Sequence, residues 1–201
     1  MQLVIAQLVG VGVFFIGVVI LGLWLPRRST AGAARVMSLV SHVLFNGGLA
    51  IPMVWGLFWP GAGRFDAITG LTPLPFLIVW RLLGGALLAT GAYHFVLSNV
   101  ALRKLGRGMA CFVLSKQIVQ ASIYERVRNP MALGWYLMCL GVAFIAGSTY
   151  LTLYVLLGQI PAHVFYLKFF EERELELRFG ESYAAYKRRV PLLVPNGRLT
   201  S

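Results

Sequence analysis

Long apolar runs restrict the fold of this chain more than any other feature of its sequence. Five runs are long enough to cross about 30 Å of hydrocarbon at roughly 20 residues each, the fourth only just. They are Leu3 to Leu25, Val36 to Trp59, Pro75 to Leu97, Met131 to Gly147 and Tyr150 to Phe170. The sequence therefore predicts an all-α integral membrane protein with about five transmembrane helices. The last two would form a tight hairpin, because only Gly147 to Thr149 separate them.

The composition points to the same class of protein. Hydrophobic residues make up 58% of the 201 residues and charged residues 12%, whereas about a quarter of a typical soluble domain is charged. The formal net charge is +11, but the basic residues lie in short segments between apolar runs and form no nucleic-acid module. We therefore expect anionic lipid headgroups, not nucleic acid, to balance this charge.

Lys and Arg are distributed unevenly among the predicted loops, which indicates an orientation. The segment from Pro26 to Arg35 has three, the segment from Asn99 to Arg128 has six, and the chain from Lys168 onward has seven. The opposite side has Arg64 alone. We therefore expect the N-terminus outside and a helical C-terminal tail in the cytoplasm. No basic region precedes the first run, which predicts a retained anchor and not a cleaved signal peptide.

The cysteines and histidines give no sign of a metal site. Cys111 and Cys139 lack the spacing of metal ligands or of a disulfide framework, and the three histidines are scattered. We expect both cysteines to be free thiols. Among ionisable residues inside the runs, Arg81 and His94 are expected to pack or to reach the interface. His163 is predicted to line an acceptor cavity, since it lies two turns from Glu171 on nearly the same face.

The segment "RNPMALGW", residues 128 to 135, joins charge to the start of the fourth run. Asn129 suits a helix N-cap and Pro130 the first helical position. A helix N-terminus beside Arg128 can bind a carboxylate or a phosphate. Gly134 and Gly141 share one face and would allow a helix or a ligand to approach closely. A capped transmembrane helix with snorkelling arginines is the alternative.

The segment "FFEERELELRFGESYAAYKRRVPLLVP" continues the fifth run without a break. Glu174 and Arg178 have the i, i+4 spacing of an ordinary surface pair. Gly180 predicts a helix end, and Ser182 can cap the short helix that follows, which Pro191 and Pro195 end. In that helix Tyr183, Tyr186 and Arg189 fall on roughly one face. A solvated amphipathic tail on the membrane surface is the alternative.

Together the two segments resemble the paired motifs of the isoprenylcysteine carboxyl methyltransferase family of integral membrane enzymes. The similarity rests on Arg128-Asn129-Pro130 with Gly134-Trp135, then on Glu171-Glu172, Leu175, Phe179-Gly180, Tyr183, Tyr186 and Val190-Pro191. It covers about residues 105 to 195. Asn129 replaces a histidine of the eukaryotic pattern, and Ala132 stands where many members have tyrosine.

The resemblance implies one membrane domain over residues 1–201, in which 1–100 form a transmembrane scaffold and 101–201 a cofactor-binding and catalytic half. It implies S-adenosylmethionine at the cytoplasmic face and a lipid-like or small hydrophobic methyl acceptor. The implied cofactor pocket consists of Arg128, Asn129, Pro130, Gly134, Glu171, Glu172, Tyr183, Tyr186 and Arg189. Glu172 is the candidate general base if the acceptor is an amine or an alcohol, and Arg189 would hold an acceptor carboxylate or phosphate. The glutamates could equally hold the cofactor's amino group.

Two other functions compete with methyl transfer. Membrane-bound sterol reductases, which use NADPH, share a similar C-terminal signature but are about twice as long. A small transport or assembly protein would use its charges to dock partners. That alternative predicts polar residues along the whole bundle axis, whereas here they concentrate at one face.

Overall fold

The structure is a computed structural model that describes residues 1–28, 30–56, 58, 61–106 and 115–194. The side chains of Arg28 and Ala31 are not described. Three sequence predictions concern residues outside this described part: the end of the second apolar run at Trp59, the free thiol of Cys111, and the role of Pro195 in ending the last helix.

The described residues form ten α-helices, several of which join end to end. These helices are α1 (Gln2–Trp24), α2 (Ala31–Phe45), α3 (Ile51–Gly56), α4 (Phe65–Thr69), α5 (Leu77–Gly106), α6 (Pro130–Ala146), α7 (Thr149–Leu153), α8 (Ile160–Tyr166), α9 (Glu172–Phe179) and α10 (Glu181–Arg189). Three π-helical segments link α2 to α3, α7 to α8, and α8 to α9: Asn46–Ala50, Tyr154–Gln159 and Leu167–Glu171.

Four helices are long and apolar enough to cross a membrane: Gln2–Arg27, Gly32–Gly56, Leu77–Gly106 and Thr149–Phe179. They coincide with four of the five predicted runs, so the described residues are all-helical and consistent with a multi-pass membrane protein. The remaining predicted span is α6, an apolar helix of 17 residues, which at 1.5 Å per residue is about 26 Å long. Its crossing of the bilayer stays a prediction.

The predicted tight turn between α6 and α7 is confirmed. Gly147 adopts a positive φ of 65°, and the Ser148 hydroxyl accepts a hydrogen bond from the backbone N–H of Leu151. Asp66, which is buried, accepts hydrogen bonds from the N–H groups of Thr149 at 3.1 Å and Tyr150 at 2.7 Å. These bonds satisfy the first donors of α7, so the hairpin is held by a carboxylate from α4.

Helices α5 and α6 pack along each other through glycines spaced seven residues apart. A Cβ on Gly84 would meet the carbonyl oxygen of Gly141 at 2.7 Å, and a Cβ on Gly91 would meet that of Gly134 at 2.7 Å. Small residues let transmembrane helices approach this closely, which maximises van der Waals packing where no hydrophobic driving force exists. The sequence predicts that either a helix or a ligand approaches the Gly134 face. In the structure it is a helix, α5.

Adjacent glycines on α5 provide a test of this packing. We expect Gly84→Ala to lower the melting temperature in detergent, because its Cβ would lie 2.7 Å from the Gly141 oxygen and 2.9 Å from the Ile145 nitrogen. Gly85→Ala is the matched control, since a Cβ there meets nothing within 4 Å. That control should be neutral or stabilising, by up to about 1 kcal/mol of helix propensity. Equal melting temperatures for the two variants would contradict the close approach.

Candidate functional site

A cavity of about 720 Å³ lies between α2, α5, α6 and the C-terminal helices. This volume is within the roughly 300–1,000 Å³ typical of small-molecule pockets. Six of the ten predicted site residues line it: Arg128, Asn129, His163, Glu171, Tyr183 and Tyr186. Four do not: Pro130, Gly134, Glu172 and Arg189. The two sequence motifs therefore meet around one space, although what binds there stays a prediction.

Arg128 ties the two motifs together. Its Nη1 donates to the carbonyl oxygens of Lys187 at 2.8 Å and Val190 at 2.5 Å, and its Nη2 donates to Glu172 Oε1. The Arg128 and Glu172 side chains are 10% and 8% exposed. A guanidinium suits this place because its fixed fork of donors can serve a carboxylate and two carbonyls at once.

Backbone hydrogen bonds reinforce this link. The N–H of Arg128 donates to the oxygen of Pro191 at 2.8 Å, and the N–H of Asn129 donates to that of Leu192 at 3.1 Å. Helix α6 then begins at Pro130, as predicted, but the Asn129 side chain makes no capping hydrogen bond. Asn129 instead lines the cavity.

Glu172 is engaged by two cations and lies behind the cavity wall. Besides Arg128, it contacts Lys187 Nζ at 2.8 Å, and Lys187 also contacts Glu176 at 3.0 Å. Hydrogen bonding to Glu172 is the largest cause of a raised pKa at Lys187, so this ammonium stays charged. The geometry gives Glu172 a holding role between α9, α10 and the start of α6.

Its neighbour Glu171 faces the cavity. The Glu171 Oε2 atom is buried and has no hydrogen-bond partner among the described residues, and the same is true of Arg128 Nε. Buried polar atoms are rarely left unsatisfied in native proteins. The unpaired carboxylate oxygen and the unpaired guanidinium N–H are therefore candidate partners for a polar ligand. Glu171 ends the π-helical segment Leu167–Glu171, and such segments recur at functional sites.

The predicted surface pair of Glu174 and Arg178 is a buried pair instead. Their side chains are 2% and 6% exposed, and Arg178 Nη1 lies 3.0 Å from Glu174 Oε1. Arg178 Nη2 also donates to the carbonyl oxygen of Ser115. The prediction of a solvated pair was wrong because α9 packs against α2 and lines the cavity, which the i, i+4 spacing alone cannot indicate.

Three tyrosines surround the polar end of the cavity, where Glu171 and Arg128 lie. Burial raises the pKa of Tyr124, Tyr183 and Tyr186, and the Glu171 carboxylate raises the pKa of Tyr124 and Tyr183 further. The phenols therefore remain protonated at neutral pH. Tyr186 donates to the carbonyl oxygen of Tyr124 at 2.7 Å, which anchors α10 to the segment before α6.

Helix α10 otherwise matches its prediction only in part. Gly180, with φ of 57°, separates α9 from α10. Ser182 is not the N-cap, because α10 begins at Glu181 with Gly180 at the N-cap position. The Ser182 hydroxyl instead donates to the backbone carbonyl oxygen of Phe179 at 2.8 Å. Tyr183 and Tyr186 turn inward, whereas Arg189 donates to Gln120 Oε1 at 2.7 Å on the exposed side. Contact between Arg189 and an acceptor stays a prediction.

The other end of the cavity is aromatic, and we call it the deep end. It contains Phe45, Trp135, His163 and Tyr166. His163 Nδ1 lies 2.7 Å from the Tyr136 hydroxyl, and the imidazole stacks on Tyr166 with ring centroids 5.4 Å apart. His163 lines the cavity on the same long helix as Glu171, in agreement with the expected placement.

The sequence interpretation missed the wall formed by α2. Three of its polar residues line the cavity: Ser38, His42 and Asn46. His42 Nδ1 lies 2.6 Å from the backbone carbonyl oxygen of Ser38, and the Asn46 side chain donates to the backbone carbonyl oxygen of His42 at 2.8 Å. The signal was available, since three polar residues recur every four positions inside an apolar run. Tyr124 and Trp135, both within the first motif region, were also missed as lining residues.

Comparison with known proteins identifies the relatives of this chain. The family model for phospholipid methyltransferases matches residues 79–182, which is just over half of the chain and includes the first motif and the second motif as far as Gly180. The chain is 31% identical over 80 residues to a methanethiol S-methyltransferase of Crocosphaera subtropica. It is 38% identical over 74 residues to methanethiol S-methyltransferase 2 of Bradyrhizobium diazoefficiens.

These alignments cover 37% and 36% of this chain, but only 28% and 27% of the two relatives. The match thus spans less than a third of the length of each curated relative. No solved structure matches the chain with significance. The family match and the relatives confirm the predicted resemblance to integral membrane methyltransferases, and they favour methyl transfer over the reductase alternative.

The holding role of Glu172 can be tested by its stability effect. We expect Glu172→Gln to lower the melting temperature in detergent by several degrees, because breaking a buried ion pair costs about 3 kcal/mol. Glu176→Gln is the matched control on the same helix, since the Glu176 side chain is 41% exposed and pairs with Lys187 at the surface. A Glu172→Gln variant as stable as this control would refute the assignment.

Proposed function

The chain belongs to the phospholipid methyltransferase family, and from that premise we propose that it transfers a methyl group from S-adenosylmethionine to a lipid-like or small hydrophobic acceptor. The candidate acceptors are an isoprenylcysteine-type carboxylate, a phospholipid amine and a thiol. The names of the two relatives make a thiol a candidate, while the family description makes a phospholipid one. Residues 101–201 would form the cofactor-binding half of a single membrane domain.

The observation that carries this proposal is the pair of unsatisfied atoms at the polar end of the cavity. Glu171 Oε2 accepts hydrogen bonds and Arg128 Nε donates one, and both are buried without partners among the described residues. The amino-acid part of S-adenosylmethionine has an ammonium and a carboxylate, which complement these two groups. Asn129, Tyr183 and Tyr186 line the same end and supply further polar atoms.

Bound S-adenosylmethionine would supply a methyl group on a sulfonium, ready for in-line displacement. The protein's task is then to align two reactants and to exclude water. Arg128 is well suited to orient a ligand, because two carbonyls and Glu172 fix its guanidinium. Pro130 and Gly134 would act indirectly, through the start of α6 and its packing on α5. Glu172 would position Arg128 and not serve as the general base.

The acceptor would enter from the hydrocarbon side. Val96 and Val100 of α5 line the cavity, yet they are 57% and 40% exposed. Phe45 of α2 and Trp135 of α6 extend the apolar lining. A space with one polar end and one apolar, laterally open side suits a charged cofactor and a hydrophobic acceptor.

We also propose that the C-terminus is cytoplasmic and the N-terminus outside, from the uneven distribution of Lys and Arg. In a bacterial host, a fluorescent protein that folds only in the cytoplasm should fluoresce when fused after Ser201. Alkaline phosphatase, which is active only outside the cytoplasm, should be inactive at the same position. The reverse pattern would overturn the orientation.

The proposed cofactor site predicts the effect of Glu171→Gln. Wild-type protein in detergent should bind S-adenosylhomocysteine in calorimetry and should not bind NADPH. Glu171→Gln should weaken this binding roughly 10- to 100-fold, because a charge-assisted hydrogen bond contributes about 1.5–3 kcal/mol. Its melting temperature should stay near that of wild type, since Glu171 Oε2 has no partner to lose.

Glu181→Gln is the control, because the Glu181 side chain is 93% exposed and lies outside the cavity. It should bind S-adenosylhomocysteine like wild type. Binding of NADPH alone would favour the reductase, and binding of neither compound would favour a non-enzymatic protein. Unchanged affinity in Glu171→Gln would remove Glu171 from the site.

A further inference from the structure

We propose that His163 is the proton acceptor for a neutral thiol substrate, which binds with its S–H group at the deep end of the cavity. This inference rests on the proposed function and selects one acceptor from the three candidates. It also assigns a role to the Tyr136 hydroxyl, which neither sequence motif includes.

His163 is held in one orientation while remaining accessible from the cavity. Its side chain lines the cavity although the residue is only 8% exposed. The Tyr136 hydroxyl forms a hydrogen bond with Nδ1 of His163 at 2.7 Å. The Tyr166 ring stacks on the imidazole, and the centroid of the Phe45 ring lies 4.6 Å from that of the imidazole. Because Nδ1 is engaged, Nε2 is the nitrogen left for a ligand. An ionisable residue at membrane depth that faces a cavity is a functional candidate by default.

The surroundings of His163 favour a neutral acceptor. The described cavity residues with permanent positive charge are Arg103, Arg128 and Arg178. Arg103 lies in the last turn of α5, Arg128 precedes α6, and Arg178 lies near the end of α9. The lining residues with ring side chains on the helices around His163 are His42, Phe45, Trp135 and Tyr166, and the others there, such as Ser38 and Asn46, are uncharged. An acceptor carboxylate there would have no permanent cation beside it among these groups, and burying an unpaired charge is costly.

A phospholipid ammonium would need a carboxylate near its nitrogen. Glu171 and Glu174 are the described cavity carboxylates on the same long helix, but they lie eight and eleven residues from His163, or about 12 and 16 Å along the axis, and Glu174 is paired with Arg178. In the proposed function Glu171 is already occupied by the cofactor. A thiol avoids both costs on entry, because it binds uncharged, and the charge that its ionisation places on His163 appears only as the sulfonium charge is lost.

The thiolate, and not the thiol, is the nucleophile. In the proposed step the S–H bond breaks and its proton passes to His163 Nε2. The electron pair left on sulfur forms the new bond to the methyl carbon, while the pair of the breaking carbon–sulfur bond stays on the donor sulfur. The sulfonium charge is thereby replaced by the imidazolium charge, and the imidazolium then releases its proton to solvent.

This step requires a particular tautomer of His163. Nδ1–H must donate to the Tyr136 oxygen, so that Nε2 carries the free electron pair. Tyr136 is therefore a positioning residue: its hydroxyl holds the imidazole through Nδ1, and its oxygen can accept the Nδ1–H bond that the proposed tautomer needs.

Two thiols of different acidity provide the test. An alkanethiol is protonated at neutral pH, whereas an acidic aromatic thiol is already largely thiolate and needs no base. We expect His163→Gln to lower kcat for the alkanethiol by roughly 10²- to 10⁴-fold, with kcat for the aromatic thiol near that of wild type. Tyr136→Phe should lower the alkanethiol kcat in the same selective way but by less.

His94→Gln is the matched control, because His94 lies on α5, bonds the Thr90 oxygen at 2.9 Å and does not line the cavity. Its kinetics with both thiols should match wild type. An equal loss with both thiols in His163→Gln, or no loss with either, would overturn the proposal. A wild-type protein that binds S-adenosylhomocysteine but methylates neither thiol would also overturn it, yet would leave the proposed function standing. Failure to bind S-adenosylhomocysteine would instead refute the proposed function.

A measurement without turnover completes the test. The chain has three histidines, so ¹⁵N imidazole spectra in detergent can be assigned with single His→Gln variants. Without cofactor, His163 should show the Nδ1–H tautomer, and the alkanethiol should shift its Nε2 signal and leave that of His94 in place. The opposite tautomer, or an Nε2 signal that the thiol does not move, would overturn the proposal.

Discussion

The organisation of the site depends on the buried guanidinium of Arg128. It bonds Glu172 on α9 and the Lys187 and Val190 carbonyls at the end of α10, while its own backbone N–H bonds Pro191. Segments about 45 and 60 residues away along the chain are thereby fixed against the start of α6. A cation can serve so many partners only because the guanidinium presents several donors in a rigid plane. Arg128 also lines the cavity, and its Nε is buried without a partner among the described residues, so in the proposed site the same side chain both joins these segments and binds a ligand.

This arrangement separates two adjacent glutamates that look equivalent in sequence. Glu172 is neutralised by Arg128 and Lys187, whereas Glu171 faces the cavity with an unpaired oxygen. Farther along the same helix His163 faces the aromatic end. One continuous helix thus presents a carboxylate to the polar end of the cavity and an imidazole to the apolar end. Such a division suits the proposed reaction, in which a charged methyl donor and a hydrophobic acceptor must meet in line.

Much of the fold could be predicted because lipid restricts the chain so strongly. The apolar runs, the Gly147 turn, the start of α6 at Pro130 and the break at Gly180 all follow from local chemistry. The site was predicted less completely. Glu174 and Arg178 were expected at the surface but are buried, and the wall of His42 and Asn46 was missed. These errors share one cause, since the burial of a helical face depends on which helix packs against it, and that information lies far away in the sequence.

The sequence by itself determined the membrane class, the concentration of carboxylates near the C-terminal helices, and the two motifs that place this chain among membrane methyltransferases. Only the tertiary structure decided which side of each helix is functional. Neighbouring residues of an α-helix point about 100° apart, and the π-helical segment Leu167–Glu171 changes that rotation just before the glutamates. Whether Glu171 or Glu172 faces the cavity therefore depends on helix rotation and packing. For the same reason Gly134 contacts α5 and Arg189 contacts Gln120, although both lie in the two segments from which the site was predicted.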